Sequence, residues 1–337
     1  MKPSDRMRQI ERIPLDREDR GPRFMRWTLA SPGPARNRQG VFLRKSTLHL
    51  FGGNSSLEQH AFEPENFLTD ARKLHIGTLS WEPMKPYPVK RQAIQTEMDD
   101  KQRVGVATGG FGHDGQKARP HAESFVYGFD SDTWTARPGT LPVARSQFEL
   151  VRVGDELWVF GGHSGVVDGS FRFPDAVLVS KIDDPGAPFV DSGVKLPRSR
   201  RAFGGALLDG RYYLVGGMGK ELQVVDTCDV FDMKKRTWST IPAPHKNRIA
   251  PRVVAIGGKL YVAGGATLVD DEAIPEPSIE VYDPGTNTWS VLIDKLPIDT
   301  THMHMFAFRD RLLIYTAHNE DARVHIMIVD PNQAGSP

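Results

Sequence analysis

The chain has 337 residues, with 43 Lys plus Arg against 42 Asp plus Glu and a single cysteine. So even a balance gives no bulk electrostatic reason to expect nucleic acid or an anionic membrane as partner, and any charge argument has to be local. Cys228 cannot form an internal disulfide, which suits a reducing compartment, and no stretch approaches the roughly 20 apolar residues of a membrane-spanning helix.

In chain order, residues 1–22 are charged, contain no apolar run of the signal-peptide type and show no period. They are expected to be a mobile arm on a cytoplasmic protein. An orphan Trp27 in RFMRWTLA follows, and then short apolar runs close on glycine pairs at LHLFGG (Gly52), VGVATGG (Gly109), ELWVFGG (Gly161), YYLVGG (Gly216) and KLYVAGG (Gly264). A sixth run, RLLIYTA, has Thr316 and Ala317 in place of the pair. Successive first positions lie 57, 52, 55, 48 and 52 residues apart, a period that belongs to four-stranded blades rather than to the shorter helical repeats. Six periods predict six blades in one domain over 23–331, with a tail at 332–337.

Before five of the runs stands a two-residue turn: Lys45-Ser46, Gly154-Asp155, Asp209-Gly210, Gly257-Gly258 and Arg309-Asp310. Tight hairpins need positive φ at such positions, so the fixed offset also fixes the register of strands one and two. The second copy departs from this, with a longer connection expected at Asp99-Asp100-Lys101-Gln102. A third strand ends in aspartate in FVYGFD, CDVFD, IEVYD and IMIVD, and a turn then leads to Trp134, Trp238 and Trp289, with Trp81 the match in the first copy. Each indole is expected to cover a junction between blades, and the third copy runs through Pro188-Phe189 instead.

A glycine pair ending strand two, an aromatic-Asp ending strand three and a tryptophan opening strand four together resemble the kelch family. The resemblance covers about residues 24 to 331. It implies an all-β fold, a six-bladed kelch-type β-propeller. The last copy lacks its own fourth strand and Trp27 precedes the first, so the ring is expected to be closed by an N-terminal strand completing the C-terminal blade, leaving no open edge.

In such blades the loop between strands two and three (the 2–3 loop) and the connection from strand four to the next strand one (the 4–1 connection) emerge at the same end. An arginine recurs there sixteen positions before the glycine pair, as Arg36, Arg145, Arg200 and Arg248, with Arg38, Arg91 and Arg201 near the equivalent point. Kelch propellers that hold acidic peptides or carboxylates look like this, and a guanidinium grips such groups through two parallel hydrogen bonds. The same arginines could instead tie neighbouring blades together through carbonyls or repeat aspartates. The 2–3 loops starting at Asn54, Phe111, His163, Met218, Ala266 and His318 are unequal, and specificity is expected in 54–73, 111–123, 163–175 and 266–278. His163 and His318 join the arginines as candidate ligand contacts.

Catalytic motifs are weak. Gly110 to Gly115 spells a dinucleotide fingerprint with no helix to follow, and GGHSG fails the nucleophile-elbow pattern at Val166. His302 and His304 share a strand face and His318 and Glu320 follow in the next loop, but strand histidines are more often simply hydrogen-bonded, so no metal and no cofactor are expected. Two functions remain. One is a monomeric binding scaffold for an acidic peptide, a protein or a small anionic ligand. The other, implied by similarity to bacterial sialic-acid mutarotases, is a sugar-acid mutarotase or epimerase, with acid and base drawn from Glu58, His113, Asp114, His163, Glu272, His318 and Glu320.

Overall fold

The computed structural model describes residues 9–11, 24–58, 60–165, 171–220, 223–270, 272–317 and 323–333. No α-helix occurs among them. The strands form six four-stranded antiparallel blades, as the repeats predict. Blade 1 is β3 (Gly40–Arg44), β4 (Thr47–Phe51), β5 (Ala71–His75) and β6 (Ser80–Pro83). Blade 2 is β7 (Gln95–Asp99), β8 (Val104–Thr108), β11 (Ser124–Gly128) and β12 (Thr133–Arg137), with a small hairpin of β9 (Phe111–His113) and β10 (Ala118–Pro120) in its 2–3 loop. Blade 3 is β13 (Glu149–Val153), β14 (Glu156–Phe160), β15 (Ala176–Lys181) and β16 (Val190–Lys195). Blade 4 is β17 (Gly204–Leu208), β18 (Arg211–Val215), β19 (Cys228–Asp232) and β20 (Thr237–Ile241). Blade 5 is β21 (Arg252–Ile256), β22 (Lys259–Ala263), β25 (Ile279–Asp283) and β26 (Thr288–Ile293), with β23 (Ala266–Val269) and β24 (Glu272–Pro275) between its second and third strands.

Blade 6 is β27 (His304–Phe308), β28 (Arg311–Thr316) and β29 (Arg323–Val329), and its fourth strand is β2 (Phe24–Ala30), paired along its whole length with β29. The two ends of the chain thus share one sheet, and Trp27 finds its blade. Within the stretch expected to be a free arm, β1 (Gln9–Glu11) pairs with β2 as a fifth strand. The chain falls into two compact units, one built on Arg36–Arg201 with blades 1 to 3 and one on Ala202–Met218 and Leu222–Pro337 with blades 4 to 6 and the N-terminal strands.

Burial follows strand position. Second strands are apolar runs buried on both faces, as in LHLF of β4, LWVF of β14 and LYVA of β22. Fourth strands are mostly exposed; Trp81, Trp134 and Trp238 are half-buried in β6, β12 and β20, and Arg137 at the end of β12 is buried. Trp134 packs on Phe51, Tyr87 and Tyr127 and donates its indole N–H to the Lys85 carbonyl at 3.1 Å, while Trp289 donates to Pro242 at 2.8 Å. Both indoles thereby bind the connection leading from the preceding blade, the junction role expected of them.

All five predicted turns stand between paired residues, for example Leu208 with Arg211 around Asp209-Gly210, whose φ values are 49° and 72°. The longer connection of blade 2 is displaced by one residue from expectation. Asp99 is still in β7, paired with Val104, and its carboxylate accepts the Lys101 N–H at 2.9 Å to cap the turn that follows.

Candidate functional site

The repeat arginines point into their own blades. Arg248 donates to the Gly264 carbonyl at 3.4 Å, the Ser278 carbonyl at 3.0 Å, Ser278 Oγ at 2.8 Å and Glu280 Oε1 at 2.8 Å. Arg145 donates to the carbonyls of Gly161 and Ala176 at 3.3 and 3.1 Å, and Arg91 to Gly109 at 3.5 Å with Glu123 Oε2 2.9 Å away. Arg36 holds the carbonyl and the carboxylate of Asp70. Each head therefore joins the glycine pair, or the start of strand three, to the 4–1 connection. Arg200, the equivalent in blade 4, is completely buried.

The arginine backbone works on the other side. The second glycine of one blade donates its N–H to the arginine carbonyl of the next: Gly53 to Arg91 at 2.7 Å, Gly110 to Arg145 at 3.1 Å, Gly162 to Arg200 at 2.8 Å and Gly217 to Arg248 at 2.8 Å. This close approach explains the first glycine as well. Gly109 has φ +64°, and a Cβ there would stand 2.8 Å from the Arg145 carbonyl oxygen. Arg36, Arg91, Arg145 and Arg248, expected as ligand contacts, thus have their guanidinium groups engaged within the fold.

The residue after Arg36, Arg91, Arg145 and Arg248 pairs with the first residue of the 2–3 loop. These bridges are Asn37 with Asn54, Gln92 with Phe111, Ser146 with His163 and Ile249 with Ala266. In the unit of blades 1 to 3 they carry a continuous row of rings. Phe62 lies 4.9 Å from Phe111, Phe111 lies 6.2 Å from His163, and His163 lies 5.2 Å from Phe171. The Arg201 guanidinium caps the row, 5.8 Å above Phe171 and hydrogen-bonded to Gln147. Beneath the rings, Gln92 Oε1, Ser146 Oγ and His163 Nδ1 are buried without a hydrogen-bond partner among the described residues. Each such atom costs about 1–3 kcal/mol unless water or a ligand meets it.

Electrostatics separate these groups further. Burial, with the nearby Arg201 charge, pushes the His163 imidazole down to about 3, so it is neutral near pH 7. Burial also lowers Arg201 and brings Arg38 to about 10, both still charged near neutrality. Arg38 stands at φ 51° in the 4–1 connection of blade 1 and donates to Asn37 Oδ1 at 3.1 Å. Arg38 and Arg201 are half-buried, unlike the repeat arginines beside them.

Other expectations fare differently. His318 and Glu320 lie outside the described residues. His304 is buried and held well below its usual range by burial, and no metal-holding group of three ligands occurs among the described residues. Asp114 accepts the Gln116 and Lys117 N–H groups and pairs with Arg119, and Glu58 and Glu272 are exposed. The hairpins β9–β10 and β23–β24 occupy 2–3 loops where the sequence predicts only long connections, and the turn-forming letters DGQK at 114–117 are the local signal for the first of them.

Against known proteins, a Kelch motif model matches residues 199–245 and 248–292. The chain is 24 % identical over 290 residues to leucine-zipper-like transcriptional regulator 1 of Pongo abelii, covering 79 % of this chain and 32 % of that protein. It is 27 % identical over 239 residues to kelch-like protein 15 of Danio rerio, covering 63 % and 37 % respectively. It is 24 % identical over 193 residues to the N-(sulfonatooxy)prop-2-enimidothioate sulfolyase of Thlaspi arvense, covering 49 % and 53 %. The chain therefore spans about a third of the regulator and of the kelch-like protein.

Proposed function

Because this chain is a kelch-repeat β-propeller, a fold class that mediates protein interactions, we propose that it is a binding module whose ligand face lies on the 2–3 loops and 4–1 connections of blades 1 to 3. The ligand is an acidic peptide or a small anionic molecule. Arg201 supplies the charge at one end of the aromatic row and Arg38 a second, on the connection of blade 1. The orphaned Ser146 Oγ, Gln92 Oε1 and His163 Nδ1 supply directional hydrogen bonds, and Phe111 and Phe171 the apolar wall. The observation that carries the reading is Arg201, a half-buried cation over Phe171 beside a neutral imidazole and buried polar atoms without partners. Satisfying those atoms is a source of affinity that a flat surface lacks.

A small-anion reading gains from one relative, whose name gives it a substrate bearing a sulfonatooxy group. The buried, lone Cys228 fits a monomer working in the reducing cytoplasm.

The test is a thermal-shift and calorimetric screen of acidic peptides, sialic acid, other sugar acids and organic sulfates, on the parent and on Arg38→Gln and Arg201→Gln. An anion should stabilise the parent and lose about tenfold or more in affinity in Arg201→Gln. Anomer exchange followed by NMR then separates receptor from mutarotase. Equal affinity in the parent and both variants contradicts the reading.

A further inference from the structure

Charge is even along most of the chain but not in blade 5. From Gly264 to Asp283 the sequence holds Asp270, Asp271, Glu272, Glu276, Glu280 and Asp283 and no Lys, Arg or His. Three of these are answered within the fold. Glu280 meets Arg248 and His245, Asp283 meets Lys259 at 2.9 Å, and the buried Glu276 accepts the Ser278 N–H at 3.0 Å. Asp270 and Glu272 form no ion pair among the described residues, and Asp271 lies outside them.

Asp270 and Glu272 sit at the tip of the hairpin β23–β24, whose strands pair with no strand but each other. The register sets Thr267 opposite Ile274 and Val269 opposite Glu272, so these four share one face. Val269 is 54 % and Ile274 44 % exposed there, and Leu268 on the other face is 37 % exposed. The hairpin is held at its base by the Ile249–Ala266 bridge, while toward its tip it leaves unpaired strand edges and exposed aliphatic side chains. Loose apolar side chains elsewhere on the surface are scattered singly, but here three fall within one ten-residue hairpin beside uncompensated carboxylates.

We propose that this hairpin is a docking arm for an extended, basic segment of a partner protein, in which aliphatic and Lys or Arg side chains follow one another two positions apart, on the same strand face. Such a segment adds as a further antiparallel strand and, on the face shared by Val269, Glu272 and Ile274, lays its aliphatic side chains on Val269 and Ile274 and presents its cations to Glu272 and to Asp270 at the turn. Charge complementarity selects this partner over an acidic peptide, which the tip repels. The arm is independent of the anion face on blades 1 to 3, since it uses none of its residues.

The test uses the full chain and fluorescence anisotropy with a short labelled peptide that carries Val and Lys or Arg at successive every-second positions with Thr between them, so that both fall on one strand face. One control peptide replaces Val with Ser and another replaces the cations with Glu. The first peptide should bind, weaken at high salt, and lose about tenfold or more in affinity in D270K/E272K and severalfold in V269S/I274S. Arg201→Gln should bind it as the parent does. All substituted side chains are exposed, so unchanged melting temperatures show that the variants fold. Equal binding of the Ser or Glu peptide, unchanged affinity in D270K/E272K, or self-association abolished by V269S/I274S would overturn the proposal.

Discussion

Blades 5 and 6 differ at three linked positions. Blade 5 places Arg248 against Gly264 and Glu280, where Glu280 pairs in register with Val262. Blade 6 has Thr300 at the arginine position, Thr316 at the glycine position and Met327 at the carboxylate position, paired with Ile314. All three replacements are buried, at 2 %, 1 % and 0 % exposure. Blade 3 keeps Arg145 and Gly161 with Leu178 at the carboxylate position, so the arginine–glycine contact does not need the acid, and blade 6 folds with both members of the blade 5 ion pair replaced. That agrees with the general behaviour of buried ion pairs, where removing both partners costs little and removing one costs much. The arginine repeated in blades 1 to 5 is thus engaged within the fold at Arg36, Arg91, Arg145 and Arg248.

The largest expected effect tests this directly. Arg248→Ala leaves the fully buried Glu280 carboxylate without its cation and should cost about 3–5 kcal/mol in urea denaturation. Thr300→Ala, its counterpart in blade 6, should cost about 1 kcal/mol. The paired replacement Arg248→Thr with Glu280→Met, which puts the blade 6 residues at both positions, should recover much of the first loss. Next comes Gly109→Ala, which forces a side chain into φ +64° and against the Arg145 carbonyl. A loss of about 1–3 kcal/mol is expected in the same assay, whereas Ala317→Gly in blade 6 should lose less than about 1 kcal/mol.

A smaller effect appears as pH dependence. Glu97 in β7 shows what a buried carboxyl does when its hydrogen bonds come from the main-chain N–H groups of Arg152 and Met98. Burial pushes it up to about 7. Its contribution to stability is complete below the unfolded value near 4.5 and is lost as pH rises through about 7, and Glu97→Gln should flatten that arm of the melting-temperature profile. His163 has the opposite sign. Its pKa is depressed to about 3, so its contribution is present above about 6.5 and is lost as pH falls toward 3, an acid arm that His163→Gln should reduce.

Much of this fold was legible in the letters. A period of about fifty residues, turn residues suited to positive φ and the displaced Trp27 are local or repetitive signals, and each fixes a backbone feature directly. The fate of the arginines was not legible, because a guanidinium such as that of Arg145 binds main-chain carbonyls, which every residue carries alike. The split between Arg36 and Arg38, or Arg200 and Arg201, is a matter of one or two positions in a connection whose path only the coordinates reveal. The pairing of β1 on β2 was missed for a related reason, since three residues are too few to show a strand period.

Side-by-side urea denaturation of Arg248→Ala and Arg201→Ala tests the division between joining and recognising arginines most directly. Arg248→Ala should lose about 3 kcal/mol or more, while Arg201→Ala stays within about 1 kcal/mol of the parent. A parent-like Arg248→Ala beside a strongly destabilised Arg201→Ala would contradict it.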